Sequence, residues 1–312
     1  MKKQALTLGC VAAILLIFSV SSVFSWGSAT HAYIGNKIGA KGGLKDFDEM
    51  YGSLAPDVFN YTFAEWYEYI YKQTHYYAFM DMENAADKIL QKALAFGFVS
   101  HNGIWGADFT AHHSGITYGQ SKGYVIKKAE LLAGIMGPLL TGQGLPLEPE
   151  DLLEVCHNFI EPAVDILMKR VDPVIGKKIM AAALLRTNAF PDMLVEVYAE
   201  GLSGETGMNF NDAAQAIRAA EKDFRKTTIL YGMALSQSEE TAVRLLAEQL
   251  ASVAAAYLRM LGYPIPVDAD LTPLAVVGIQ QGIELCKNDF KAEIAATVKL
   301  VKKNLAEHKK DK

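Results

Sequence analysis

AADKILQKALAFGFVSHNGIWGADFTAHH, residues 85–113, is the stretch of this chain that joins a fold prediction to a chemical one. From Ala85 to Ser100 its apolar residues recur at helical spacing, which predicts a helix that delivers His101 at or beyond its end. Asn102-Gly103 and Gly106 then interrupt, and Asp108 and His112 follow four residues apart. If the segment after His101 is helical, His101 shares a face with Asp108 seven residues on. One carboxylate flanked by imidazoles on both sides suits the bridging of two metal ions. His113 projects elsewhere on a helix, so His112 is the favoured ligand of that adjacent pair.

Further ligand-type residues lie on both sides of this stretch. Glu148-Pro149-Glu150-Asp151 is an acid-rich helix start with proline in its first turn, and the helix it opens is expected to run through His157 to about Arg170. His157 and Glu161, four apart, project from one face of it, and Pro162 is expected to bend it locally and turn the pair inward. Upstream, Asp57 follows Pro56 in a turn-like setting, Thr74-His75-Tyr76 adds an imidazole, and Trp26-Gly-Ser-Ala-Thr-His31 stands near the start. Six of the seven histidines fall between His31 and His157, while His308 sits in a lysine-rich tail. Taken singly, each piece also has an ordinary reading: a hydrogen-bonded structural histidine, a turn aspartate, a surface His–Glu pair. Their conjunction points to zinc, which prefers imidazole nitrogen and carboxylate oxygen.

The first 25 residues read as a signal peptide, with Lys2 and Lys3 ahead of an apolar run from Val11 to Val20 and Val23-Phe24-Ser25 at the cleavage positions. The competing readings are an uncleaved anchor over Ala5–Phe24 and, more poorly, a lipoprotein signal at Gly9-Cys10. Cleavage before Trp26 exports a protein with a free tryptophan amine. That amine and the Trp26 carbonyl can chelate one metal together, with His31 completing the grip, and the amine's ordinary pKa of about 8 makes it available near neutrality. With Trp26 bidentate and Asp108 shared, the candidates suffice for about three zinc ions. Loss of the leader moves the formal charge from -5 to -7, 28 basic residues against 35 acidic. No global basic field exists to attract duplex nucleic acid. Cys156 and Cys286 then remain, too few for a disulfide framework though one bridge between them is open. Cys156 itself reads as a buried thiol rather than a nucleophile.

Strand signals are scarce, and at 51% hydrophobic and 21% charged residues the chain has the profile of a globular protein with a sizeable core. A short helix is expected over residues 31–40 after Ser28-Ala29-Thr30, another from Asn211-Asp212 to about Leu235, and a third behind a Ser236-x-x-Glu239 capping box, ending near Gly262-Tyr263-Pro264. A last helix is expected from Thr272-Pro273. The seven lysines and four acids from Asp289 onward read as a solvated helix end in preference to a membrane-surface patch. No internal repeat or linker is visible. The expectation is an all-α fold: a single multi-helix domain over 26–312, with the metal-site half at about 26–170 and a C-terminal helical part at about 171–312.

With these residues in place, the chain resembles the zinc-dependent phospholipase C family, whose fold is shared by fungal single-strand nucleases and, more distantly, by glycosylphosphatidylinositol-specific phospholipase D. The resemblance covers about residues 26 to 165. It implies that Asp57, His75, His101 and Asp108 hold one zinc, and that His112, His157 and Glu161 hold a second. Trp26, His31 and the bridging Asp108 would hold the third. Two departures stand out. Typical members place the bridging aspartate four residues after the first histidine, whereas His101 and Asp108 are seven apart, as though Gly-rich residues were inserted. The Gly-Asp-Ile-His and Gln-Pro-Leu-His segments of the nuclease branch are absent, and Ala107-Asp108-Phe-Thr-Ala-His112 has the spacing of the phospholipase D relatives. The Trp-Gly-x-x-x-His box, by contrast, is nuclease-like.

The resemblance implies a secreted phosphodiester hydrolase acting on a phospholipid or other small phosphodiester, in transient contact with a membrane surface. Asp57 and Asp108 would serve catalysis as well as metal binding: zincs sharing Asp108 would activate the attacking water, and Asp57 would ligate, orient the nucleophile or act as general base. A single-strand nuclease or nucleotidase on the same scaffold is the second reading, and an exported zinc-binding structural or binding protein the third. Between Phe59 and Phe79 the chain is crowded with Tyr61, Phe63, Trp66, Tyr67, Tyr69, Tyr71, Tyr76 and Tyr77. These rings either line the site, holding a choline ammonium or stacking on a base, or pack the helical core.

Overall fold

The structure, a computed structural model, describes residues 26–312 apart from residues 40, 41, 61, 63, 118–121, 309, 311 and 312. The expected leader over residues 1–25, and Tyr61 and Phe63 of the aromatic run, lie outside the described residues. The helices are α1 (Ser28–Ile38), α2 (Leu44–Leu54), α3 (Tyr67–Lys72), α4 (Asp81–Asn84), α5 (Ile89–His101), α6 (Ala107–His112) and α7 (Tyr124–Gly142). They continue as α8 (Pro149–Val171), α9 (Ile175–Leu185), α10 (Phe190–Thr206), α11 (Phe210–Leu235), α12 (Glu239–Met260), α13 (Thr272–Cys286) and α14 (Phe290–His308). A 3-10 turn at Ala55–Phe59 extends α2, and a π-helical turn at Gln73–Tyr77 extends α3. No strand occurs among the described residues, so the all-α expectation holds. Among them no helix is long and apolar enough to cross a membrane.

Two glycines set the central crossing. A Cβ on Gly97 would lie 2.1 Å from the Glu49 carbonyl oxygen, and one on Gly52 2.1 Å from that of Leu94. Glycine at both places lets α2 and α5 meet backbone to backbone, closer than side chains would allow. The two helices run alongside each other so that their C-terminal ends meet, bringing the Asp57 turn next to His101. Around this pair, α9 packs on α2 and α11, α7 and α13 flank α8, and α14 lies against α1 and α6. One continuous cluster of buried apolar side chains extends from Trp26 to Leu305.

The start of α1 is held from elsewhere in the chain. Buried Asp165, in the middle of α8, accepts hydrogen bonds from Ala29 N (2.7 Å), Thr30 N (2.8 Å), the Thr30 hydroxyl (2.7 Å) and the Tyr231 hydroxyl of α11 (2.6 Å). The carboxylate thus satisfies two of the free N–H groups at a helix N-terminus and sits at the positive end of its dipole. Trp26 is anchored by α6 and α14. Its indole donates to the Thr110 hydroxyl (2.9 Å), which donates to the Ala107 carbonyl and therefore accepts from Thr297 (2.9 Å).

Several boundaries differ from those expected. α1 begins at Ser28 rather than residue 31, because Asp165 supplies the cap that Ser28-Ala29-Thr30 would otherwise have had to supply. The N-cap of α11 is Asn209, whose side chain accepts from Asp212 N, and that of α12 is Ser238, which accepts from Thr241 N. The expected capping box at Ser236 does not form, since the Ser236 hydroxyl bonds back to the Gly232 carbonyl. The expected last helix is two, α13 and α14, broken at Lys287–Asp289. There Asp289 accepts from the Tyr124 hydroxyl and the Lys128 ammonium, each at 2.5 Å. α8 runs unbroken through Pro162. Cys156 and Cys286 are free and buried. Gly278 abuts Phe159 and Gly282 abuts Ala163, so in this parallel register Cys286 lies roughly 16 Å along the helix axis from Cys156. That exceeds the reach of a disulfide.

Candidate metal centre

His101 is the last residue of α5, and the chain leaves the helix immediately after it. The segment to Asp108 is not helical, as one sequence alternative required. Asn102 Oδ1 accepts from the main-chain N–H groups of Ile104 (2.9 Å), Trp105 (2.9 Å) and Gly106 (3.2 Å), closing residues 102–106 into a tight loop. α6 then starts afresh at Ala107. The extra residues are looped out, and His101 and Asp108 meet in spite of their seven-residue spacing.

Three sets of side chains each present ligand atoms within 4.8 Å of one another: His31, His101 and Asp108; Asp57, His75 and His101; His112, His157 and Glu161. Each set can hold a metal ion. Together they contain all eight side-chain ligands expected from the sequence, drawn from α1, α5, α6, α8 and the two turns at Asp57 and His75. The sharing differs from the expected pattern. His101 belongs to two sets, while Asp108 joins its own set to the third through a 3.0 Å approach of its Oδ1 to His112 Nδ1. Of the adjacent histidines, His112 is in a set and His113 is not; His113 Nε2 lies 3.0 Å from the Tyr76 hydroxyl at the surface. His308 stacks on Trp105 and belongs to none of them. Trp26 enters no set by its side chain, since its indole is committed to Thr110 and stacks on Tyr124.

The outward-facing nitrogens of the imidazoles are fixed as metal ligands require. His101 Nδ1 donates to the Ser53 carbonyl (2.8 Å) and His75 Nδ1 to the Tyr71 carbonyl (3.0 Å). A ring that gives its Nδ1 proton to a carbonyl presents an unprotonated Nε2, the arrangement found behind most metal-binding histidines. These two Nε2 atoms face Asp57 Oδ1, at 3.7 Å from His101 and 3.3 Å from His75. Among the described residues buried His101 Nε2 and the Oδ2 of fully enclosed Asp108 make no hydrogen bond, and the only close polar neighbour of Asp108 Oδ1 is the His112 ring. In the third set, His112 Nε2 and His157 Nε2 stand 3.1 Å apart, a separation that needs a proton or a cation between them. Buried polar atoms without partners are rare and costly. Concentrated here, they fit a cation in the donor chemistry that zinc favours.

Burial and mutual charge shape the acid–base state. Burial pulls His75 down to about 4 and lowers His31 and His101, so all three are neutral and able to bind metal at pH 7. Burial opposes ionisation of Asp108, but the surrounding imidazoles, His112 foremost, outweigh it and hold the carboxyl well below its ordinary range. Asp57 is pushed up to about 7 by burial, with Asp108 and Glu161 adding to the shift against the pull of His101. His157 is raised to about 9 because hydrogen bonding to Glu154 and Glu161 overrides burial.

Sequence reading overlooked two groups. Glu154 lies one turn before His157 on the same face of α8, 3.8 Å from His157 Nδ1, and extending the helix-face rule backward would have found it. Asp165 had no local signal. Compared with known proteins, the chain matches no protein-family model, no curated protein and no solved structure.

Proposed function

We propose that the protein is a zinc-dependent phosphodiester hydrolase of phospholipase C type, exported and cleaved before Trp26, which acts on phospholipid-like esters. The observation that supports this most is the convergence of eight imidazole and carboxylate ligands on three adjoining sets, with His101 Nε2 and Asp108 Oδ2 buried between them without a hydrogen-bond partner among the described residues. The resemblance over residues 26–165 supplies the substrate class. His31, His101 and Asp108, with the freed Trp26 amine and carbonyl, would hold one ion; Asp57, His75 and His101, and His112, His157 and Glu161, would hold the others. Bound zinc supplies Lewis acidity toward phosphoryl oxygens and an activated water.

The chain's own groups divide the remaining work. Asp108, without exposure, is a fixed negative charge between sets, whereas the side chains of Asp57 and Glu161 are 17% and 16% exposed and so reach the solvent edge. Asp57 Oδ1 accepts from Asn60 Nδ2 (2.7 Å), leaving Oδ2 to accept a hydrogen bond from a water and orient it. The Ser53 and Tyr71 carbonyls keep the His101 and His75 rings from turning as substrate enters. An acidic excess, 28 basic residues against 35 acidic once Lys2 and Lys3 are removed, favours a small diester over a polyanionic duplex.

The test is turnover by the mature protein, with and without chelator, of phosphatidylcholine, single-stranded nucleic acid and bis-p-nitrophenyl phosphate. Chelator-sensitive lipid turnover is the expected result. Turnover of nucleic acid alone would place the protein with the nuclease reading, and zinc uptake without any turnover would leave an exported zinc-binding protein.

A further inference from the structure

Tyr67 carries a hydroxyl that the fold does not use. It is the first residue of α3, which packs against the turn bearing Asp57. Its ring is 5.9 Å from that of Tyr71, and Tyr71 stacks on His75 at 4.0 Å. The Tyr67 oxygen is buried and has no hydrogen-bond partner among the described residues. A buried donor left this way is destabilising unless something else satisfies it. The hydroxyl lies within the electrostatic reach of the metal centre: the carboxylates of Asp57, Glu154 and Asp108 and the Tyr76 hydroxyl all act on it. Burial, reinforced by those negative charges, raises the phenol far above its ordinary range, so it keeps its proton and can only donate to an anion.

We propose that Tyr67 is a substrate-contacting residue, its hydroxyl donating a hydrogen bond to a non-bridging phosphoryl oxygen of a phosphodiester held at the metal centre. This rests on the hydrolase reading. The oxygens of a transferring phosphoryl group carry the charge that must be stabilised, and a preorganised donor in a water-poor site is suited to that task. A second consequence separates this role from a structural one. Because the hydroxyl has no partner among the described residues, its removal is expected not to weaken the metal-free fold.

The experiment compares zinc-loaded wild type with Tyr67→Phe, using inorganic phosphate as the binding probe and bis-p-nitrophenyl phosphate as substrate. Expected are equal zinc content, a thermal midpoint of the metal-free variant equal to or above wild type, and phosphate affinity and kcat each reduced about tenfold to a hundredfold. Phosphate affinity within about twofold of wild type overturns the inference, and so does a lower metal-free midpoint, which would reveal a structural partner. Should wild type itself take up no zinc, the hydrolase reading falls and this inference with it. Zinc uptake and diester turnover by wild type with an unaffected Tyr67→Phe sinks only the inference.

Discussion

Replacing Asp165 by asparagine keeps shape and volume and changes only what the two terminal atoms can accept. In the native chain Oδ1 takes the Thr30 amide and hydroxyl, and Oδ2 takes the Ala29 amide and the Tyr231 hydroxyl. An amide NH2 at either position faces one hydroxyl, which can rotate to accept, and one main-chain N–H, which cannot. Turned toward Ala29 the NH2 orphans that N–H, but turned toward Thr30 it leaves the Thr30 N–H its second acceptor, the Gly27 carbonyl at 3.0 Å, so the cheaper placement costs ~1 kcal/mol. The remaining bonds lose their charged acceptor, which removes roughly 1 kcal/mol more. The total is ~2 kcal/mol out of a typical stability of ~5–15 kcal/mol. For a chain of this size that lowers the melting temperature by roughly 4–8 °C. Burial raises the Asp165 pKa to about 6, so the carboxylate is the form present at neutral pH and the comparison is made there. The assay is thermal unfolding of metal-free wild type and Asp165→Asn at pH 7.5. A midpoint within about 2 °C of wild type would refute the argument that this carboxylate holds the start of α1.

Gly97→Ala places a methyl 2.1 Å from the Glu49 carbonyl and must force α2 and α5 apart, so it is expected to destabilise by ~3 kcal/mol and to weaken zinc binding, read by urea unfolding and by metal titration. His157 is raised to about 9, so metal-free protein carries its proton at pH 7.5; zinc uptake by the third set should release about one proton there and none well above pH 9, measurable by calorimetry in buffers of different ionisation heat. Its folded pKa lies above the unfolded value of about 6.5, so the stability it contributes is complete below that value and is lost as pH rises through about 9. The metal-free midpoint should accordingly fall from pH 7.5 to 9, and a rise would contradict the assignment.

What the sequence disclosed follows from the range of the interactions involved. The span of α8 and the His157–Glu161 pair were legible because a proline-led acidic start and a four-residue spacing are local facts. Asp57 and His75 were legible as ligand types but not as geometry, since a 3-10 and a π-helical turn present them. The looped-out segment 102–106 was not legible: three N–H groups converging on Asn102 decide it, and no periodicity reports such a loop. Asp165 reads as one more residue on a long helix until α1, well over a hundred residues earlier in the chain, is brought to it. The part played by α11 and α14, through Tyr231 and Thr297, is tertiary for the same reason.

Zinc-soaked crystals with diffraction data collected across the zinc absorption edge test the centre most directly. Peaks are expected within coordination distance, about 2.0–2.2 Å, of ligand atoms in each of the three sets, with His101 beside two of them. Absence of any zinc peak at His101 and Asp108, with zinc scattered on surface histidines such as His113 instead, would contradict the account.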